Sequence, residues 1–135
     1  SNTSILHIKR NVNELCLKGE VYTKEILINT DEYKLYHELA FSPRKGEKII
    51  GKGEAAAIAL AKTYNGIIAS NNLKDISKYV EKYGLEHVTT GDILVDALNK
   101  RYIDEETGNQ IWSNMIRKQR MLPTATFSEY LKKLK

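Results

Sequence analysis

The chain has 135 residues, of which 41% are apolar and 28% are charged, and its formal net charge at pH 7 is +4. This length predicts a single domain over residues 1–135, and the composition is typical of a globular protein rather than of a disordered or fibrous one. Since no apolar run approaches the roughly 18 residues that a membrane-spanning helix needs, and no secretory signal is visible, we expect no membrane association.

The first predicted element is a helix over residues 4–18. It opens with Thr3 and Ser4, which are good N-cap types, continues with spaced apolar residues and ends at Gly19. It contains Cys16, the single cysteine of the chain, which cannot form an internal disulfide. A buried free thiol in a reducing compartment follows, and the cytoplasm is the expected location.

The second stretch combines a short β-type piece with a longer helix. Val21 and Tyr22 favour an extended conformation, and Thr23 is an N-cap type for a helix that continues to about Leu39. Residues 40–50 contain a proline and Gly46 among charged residues, which predicts a surface loop.

The middle of the chain alternates helices with short apolar runs. A helix over residues 53–64 precedes NGIIAS, which reads as a buried strand. The amphipathic LKDISKYVEKYG then predicts a helix that ends at Gly84, and EHVTT predicts a second strand. Further helices are expected from Asp92 to about Arg101, from about Glu105 to Met121, and in the last residues after a cap at Thr126 or Ser128.

Strand, helix and strand in this order predict an α/β fold. Because both strands are short apolar runs, we expect a parallel sheet covered by helices, in an α/β sandwich. Ligands of such sheets bind at the carboxyl ends of the strands. The residues that follow the two strands are therefore the candidate binding residues: Ser70, Asn71, Asn72, Thr89, Thr90 and Asp92.

Positive charge is concentrated near the end of the sequence. The last 19 residues contain six basic side chains against Glu129 alone: Arg117, Lys118, Arg120, Lys132, Lys133 and Lys135. Such a cluster attracts phosphates and predicts RNA contacts by Arg117, Lys118 and Arg120, although a solvated surface explains the same pattern.

One carboxylate, Glu54, stands between a glycine turn and an alanine-rich helix in the stretch GKGEAAAIALAK. Negative charge in the first turn of a helix complements the unpaired N–H groups there, so Glu54 has a purely structural interpretation. A second interpretation comes from the order of several motifs along the chain.

The stretches KGEVYTKEIL, GKGEAAAIALA, IIASNN, GLEHVTTGDIL and IWSNMIRKQRMLPTATFSEYL follow one another in the order and spacing of PIN-like domains. They resemble in particular the branch with a GEAEAIALA helix, and the resemblance covers essentially the whole chain. It implies a three-layer α/β/α sandwich with a central, mostly parallel sheet, whose first strand we expect to be truncated here. It also implies an endonuclease that cleaves single-stranded RNA with Mg²⁺ or Mn²⁺, often the toxin of a toxin-antitoxin pair.

The acids that the resemblance implies are only partly present. Glu54 matches the acid at the start of the helix, whereas Asn2 stands where the first strand should end in Asp. At the end of the next strand, the pattern usually has Asp where this chain has Ser70, Asn71 or Asn72. The acid of the early helix should fall near Asn29 or Thr30, with Glu25 and Asp31 close by. Asp92 is the other acid near a strand end. The implied metal ligands are therefore Glu54, Asp92, Asn2 and Asn72, with Glu54 and Asp92 as the catalytic pair.

Two functions stay open at this point. A divalent metal with few carboxylates needs help from the phosphate of its substrate, so a nuclease with a degenerate acidic site is one interpretation. The alternative is a PIN-like module that has lost catalysis and binds RNA or a protein, with Asn2, Asn72 and Thr89 as a neutral hydrogen-bonding pocket. In either case, Ser70, Asn71, Thr89 and Thr90 are the expected substrate-binding residues. A small antitoxin-like protein and a second copy of the chain are the protein partners considered.

Overall fold

The computed structural model of the protein describes the backbone of residues 2–135 and the side chains of residues 9–135. This part of the chain forms seven helices and two short strands. The helices are α1 (Asn2–Leu17), α2 (Asp31–Phe41), α3 (Lys52–Tyr64), α4 (Leu73–Tyr83), α5 (Thr90–Asn99), α6 (Glu105–Arg117) and α7 (Phe127–Lys133), and the strands are β1 (Ile67–Ala69) and β2 (Glu86–Val88).

The two strands form a parallel pair, with Ile67 opposite Glu86 and Ala69 opposite Val88. Helix α4 connects them, so β1, α4 and β2 make the strand–helix–strand unit that the sequence predicts. Mixed helical structure with a short parallel sheet is compatible with the α/β class. The sheet has two strands within the described residues, and a central sheet of a three-layer sandwich remains a prediction.

Strand β1 is buried on one face only, which corrects the expectation of a fully buried strand. Ile68 is 2% exposed, whereas Ile67 is 60% exposed. Successive side chains of a strand point to opposite faces, so Ile67 and Ile68 lie on opposite faces of the sheet. An apolar run therefore did not imply burial on both faces here.

The larger apolar core lies between α2, α3, α4 and β1. Its buried members include Leu39 of α2, Ile58 of α3, Ile68 of β1 and Ile76 of α4. The alanines of α3 explain its close contact with neighbouring helices, because small side chains such as the fully buried Ala55 let backbones approach.

A second, smaller core joins α5, α6 and α7. Leu94, Trp112 and Phe127 are its buried residues, and the rings of Trp112 and Phe127 lie 5.6 Å apart. The indole N–H of Trp112 donates to the carbonyl of Thr124 at 2.8 Å. This hydrogen bond holds the segment between α6 and α7 against the core.

The segment before α2 differs from its prediction. Residues 22–27 form neither helix nor strand, and the helix begins at Asp31 rather than after Thr23. Asn29 has a φ of 74°, which no right-handed helix accommodates, and Thr30 is the N-cap, accepting a hydrogen bond from the backbone N–H of Tyr33. The β-type piece at Val21–Tyr22 and the Thr23 cap were therefore wrong.

Other boundaries agree more closely with the sequence. Gly84 ends α4 in the left-handed conformation, as predicted, and of the two predicted caps of α7, Thr126 and Ser128, Thr126 is the N-cap. Helix α5 begins two residues earlier than expected, and α6 ends at Arg117 instead of Met121. Cys16 is a half-buried free thiol. Among the described helices, none is long and apolar enough to cross a bilayer.

Candidate functional site at the carboxyl ends of the strands

The residues that follow β1 and β2 are joined by the side chain of Asn71. Its Nδ2 donates to Oγ1 of Thr90 at 2.9 Å, and its Oδ1 accepts from the backbone N–H of Thr90 at 2.8 Å. Thr90 is the first residue of α5, whose N–H groups have no partner inside the helix. The structure thus brings Asn71 and Thr90 together where the two strands end.

Ser70 and Asn72 are engaged in local hydrogen bonds at the start of α4. The hydroxyl of Ser70 accepts from the backbone N–H of Asn72 at 3.1 Å, and Nδ2 of Asn72 donates to Oδ2 of Asp75 at 2.8 Å. Asp75 was missed by reasoning from the sequence. Its spacing, three residues after the N-cap Asn72, was the available signal.

Asp92 and Thr89 form a capping box at the start of α5. Oδ2 of Asp92 accepts from the backbone N–H of Thr89 at 2.9 Å and from its hydroxyl at 3.1 Å, while Oγ1 of Thr89 accepts from the N–H of Asp92. Two orphan donors are satisfied reciprocally in this arrangement. The geometry gives Asp92 a clear structural role at the position where the resemblance implied a metal ligand.

Two adjoining cavities open at this edge. The first, about 230 Å³, lies between the strand ends and α5 and includes Ser70, Thr90 and Ile93 in its wall. The second, about 350 Å³, lies between the strand ends and the segment after α6. We call the second cavity the tail pocket, and its lining residues are Asn71, Leu73, Thr89, Met121, Leu122, Pro123 and Tyr130.

Glu54 lies apart from both cavities. It is in the first turn of α3, and its carboxylate folds back over Gly51, where an added Cβ would collide with Oε2. The side chain is half-buried, and no hydrogen bond or ion pair joins it to another described side chain. Since only Asn65 and Gly66 separate α3 from β1, the start of α3 points toward the carboxyl end of the strand. The structure does not bring Glu54 into the lining shared by Asn71 and Thr89.

The start of α2, the early helix of the PIN-like pattern, lies at the C-terminal end of α3. Glu32 is a buried carboxylate that the sequence did not single out, and its Oε1 accepts from the hydroxyl of Tyr64 at 3.1 Å. Tyr64 is ten residues after Glu54 along α3, which corresponds to roughly 15 Å of helix. The acids of the early helix and of the α3 start are therefore well separated.

A resident Mg²⁺ or Mn²⁺ requires several oxygen ligands that converge, with carboxylates to balance its charge. Over the residues whose side chains are described, no three His, Cys, Asp or Glu side chains come together in that way. The edge offers neutral oxygens and two carboxylates that are engaged in local hydrogen bonds, Asp92 with Thr89 and Asp75 with Asn72, which is a poor match for such a cage. Asn2, the remaining predicted ligand, lies outside the residues with described side chains.

Three cations precede the tail pocket along the chain. Arg117, Lys118 and Arg120 are exposed, and none of them forms an ion pair within the described part of the protein. Arg117 donates to the neutral amide oxygen of Asn114. We call these three residues the basic segment. Its place at the C-terminal end of α6 also complements the helix dipole, so part of its role is structural.

Comparison with protein-family models, with curated protein sequences and with solved structures gives no match to this chain. The resemblance to PIN-like domains therefore depends on the motifs in the sequence and stays a hypothesis.

Proposed function

We propose that this chain is a PIN-like domain of nuclease lineage that binds single-stranded RNA at the carboxyl edge of its sheet. One observation carries the proposal: the uncompensated basic segment leads directly into Met121, a wall residue of the tail pocket beside Asn71. Positive charge supplies most of the affinity of non-specific RNA binding, and neutral polar and apolar groups contact the bases.

The chemistry of the edge favours binding over cleavage. The hydroxyl and amide groups of Ser70, Asn71 and Thr90 donate and accept hydrogen bonds without carrying charge. Metal-assisted cleavage needs a cation held close to the scissile phosphate, and the capping role of Asp92 leaves this edge short of free carboxylates.

We also propose that the domain is a three-layer sandwich. Ile68 packs with Ile58 and Ile76 on one side of β1, whereas Ala69 and Val88 line a cavity with Ile93 of α5. Because neighbouring residues of a strand face opposite ways, the largely exposed face of β1 that carries Ile67 and Ala69 is the one that shares this cavity with α5. This arrangement supports a central sheet, to which further strands would be added at the free side of β1.

The proposal is tested by the salt dependence of RNA binding. In the variant Arg117→Ala/Lys118→Ala/Arg120→Ala, the slope of log K against log salt should fall by about 2, because each single-strand phosphate contact contributes about 0.7. Fluorescence anisotropy with a labelled single-stranded RNA of roughly eight nucleotides measures this slope.

The matched control is Lys9→Ala/Arg10→Ala/Lys18→Ala, which removes the same charge from exposed positions on or next to α1. It should leave the slope unchanged. If the two triple variants change the salt slope equally, the effect comes from net charge and not from specific RNA contacts of the basic segment. If the wild-type protein does not bind RNA, the proposal is wrong.

A second candidate function is the metal-dependent endoribonuclease, and Glu54 is the observation that favours it. A half-buried carboxylate with no hydrogen-bonding or ionic partner among the described side chains is free to accept a cation. We also propose an antitoxin-like protein partner and a homodimer, both drawn from the resemblance. A cytoplasmic location is a further proposal, drawn from the free thiol of Cys16.

A further inference from the structure

We infer that the tail pocket accepts one unpaired nucleobase of a bound single-stranded RNA, while the basic segment contacts the phosphates beside it. This inference rests on the proposed function and specifies which part of the RNA the pocket binds. Its size, about 350 Å³, is at the lower end for ligand pockets and suits a single ring system rather than a folded peptide element.

Apolar side chains form most of the wall and are exposed in the unbound protein. Leu73 is 43% exposed and Met121 is 63% exposed, although both are large apolar residues. A planar base would cover both side chains, and the flexible thioether of Met121 adapts to the shape of a ring. The faces of a nucleobase are apolar and its edges are polar, which matches a pocket with few polar groups.

The polar groups of the pocket retain hydrogen-bonding capacity. Asn71 uses one of its two amide hydrogens and one acceptor site of its oxygen to hold Thr90, so one donor and one acceptor site remain. The hydroxyl of Tyr130 has no hydrogen-bond partner among the described residues. These groups are of the kind that contacts the edge of a base.

Both walls are held in place before any ligand binds. The hydrogen bonds between Asn71 and Thr90 fix the wall at the strand ends. On the other side, Trp112 binds the carbonyl of Thr124, directly after the wall residues Leu122 and Pro123. A preformed pocket lowers the ordering cost of binding.

Charge complementarity selects RNA as the occupant. Arg120 is the direct neighbour of Met121, so its backbone is about 4 Å from the wall of the pocket. An apolar peptide would also cover Leu73 and Met121 but would not use three exposed cations. The pocket and the basic segment together match a polyanion with apolar rings.

The inference is tested with exposed residues, whose replacement leaves the cores intact. Leu73→Ser and Met121→Ser should each weaken binding of the roughly eight-nucleotide single-stranded RNA about tenfold without changing the salt slope. Leu27→Ser, at a similarly exposed leucine outside the pocket, is the matched control and should bind as the wild type does. Thermal melting checks that all three variants fold.

A ribose-phosphate oligomer of the same length but without bases separates base contacts from charge. Leu73→Ser and Met121→Ser should bind this oligomer as well as the wild type does. If the two variants bind RNA like the wild type, or lose affinity for RNA and for the base-free oligomer alike, the base pocket is wrong while RNA binding stands. If the wild-type protein does not bind RNA, the proposed function fails as well.

Discussion

Asn71 holds the first residue of α5, Thr90, by two hydrogen bonds from one side chain. The same pattern occurs between Asn109 and Ser128, where Nδ2 donates to the hydroxyl at 2.8 Å and Oδ1 accepts from the backbone N–H at 3.0 Å. One pair lies at the proposed RNA edge and the other lies between α6 and α7. Asn109 therefore provides a matched control for the role of Asn71 at the proposed RNA-binding edge.

The first prediction uses these two pairs. Asn71→Ala and Asn109→Ala should each lower the free energy of unfolding by about 1–3 kcal/mol, because partly buried donors and acceptors lose their partners. Only Asn71→Ala should also weaken RNA binding, at a temperature where both variants are folded. Urea unfolding and anisotropy measure the two effects. An equal loss of RNA affinity in Asn109→Ala would contradict a specific role of Asn71.

The second prediction concerns Asp92, one of the two acids that the PIN resemblance implies as metal ligands. Asp92→Asn should cost about 0.5–1 kcal/mol of stability, because it weakens the capping box with Thr89. If Asp92 acts as a cap alone, its loss should have the same effect with and without Mn²⁺. A metal-dependent difference in the melting temperature between wild type and Asp92→Asn would restore its role as a ligand.

The third prediction tests the nuclease candidate at Glu54. If a divalent ion binds there, 5–10 mM Mn²⁺, roughly saturating for a weak site, should raise the melting temperature by mass action, and Glu54→Gln should abolish the rise. Cleavage of single-stranded RNA should disappear in the same variant. An unchanged melting temperature of the wild type would refute the metal site and leave the binding module as the function.

The fourth prediction concerns the close approach of α5 and α7. A Cβ at Gly91 would collide with the ring of Tyr130, which lines the tail pocket. Gly91→Ala should therefore destabilise the protein by about 1–3 kcal/mol through overpacking and weaken RNA binding by displacing Tyr130. The control is Gly53→Ala, because an added Cβ meets nothing within 4 Å there. Equal stability of the two variants would mean that Tyr130 moves freely.

The fifth prediction is a pH dependence of stability at Glu47. Burial raises the pKa of this carboxyl, but the ammonium groups of Lys78 at 3.4 Å and Lys82 at 3.5 Å outweigh it, so its pKa is below the ordinary value. Because the folded-state pKa is lowered, the stabilisation is complete above the unfolded-state pKa of about 4.3 and is lost as the pH falls through the folded-state pKa.

Urea unfolding of wild type and Glu47→Gln from pH 7 to pH 3 measures this dependence. The difference in stability should be constant at neutral pH and shrink below about pH 4. In a Lys78→Met/Lys82→Met background, Glu47→Gln should no longer lower the stability at neutral pH, because burial alone disfavours the charged carboxylate. A difference that persists at pH 3 would assign the role of Glu47 to packing.

Local chemistry made most of the secondary structure predictable. Gly84 and Thr126 act as the helix boundaries that their residue types predict, because left-handed glycines and capping threonines depend on only a few neighbouring residues. The sequence prediction placed the cap of this helix at Thr23, whereas Thr30 caps α2 in the structure. Asn29 decided the outcome through its left-handed backbone, which favours Thr30.

The site was predictable only where it depends on the strand–helix–strand unit. Parallel strands place their carboxyl ends together, so the meeting of Asn71 and Thr90 could be expected from the order of the elements. The tail pocket could not be predicted, because its second wall comes from residues 121–123. The packing of Trp112 and Tyr130 against α5 determines their position, and this long-range contact leaves no periodic signal in the chain.

The residue order alone thus determined most of the helices, although not the start of α2, and it determined that the two strands run parallel and that positive charge gathers near residue 117. Folding decided which polar groups are free to act: it engaged Asp92 in a cap, left Glu54 without a partner among the described side chains, and brought Met121 beside Leu73. The physical reason is that caps and turns depend on neighbours along the chain, whereas hydrogen-bond partners and pocket walls depend on which surfaces pack together.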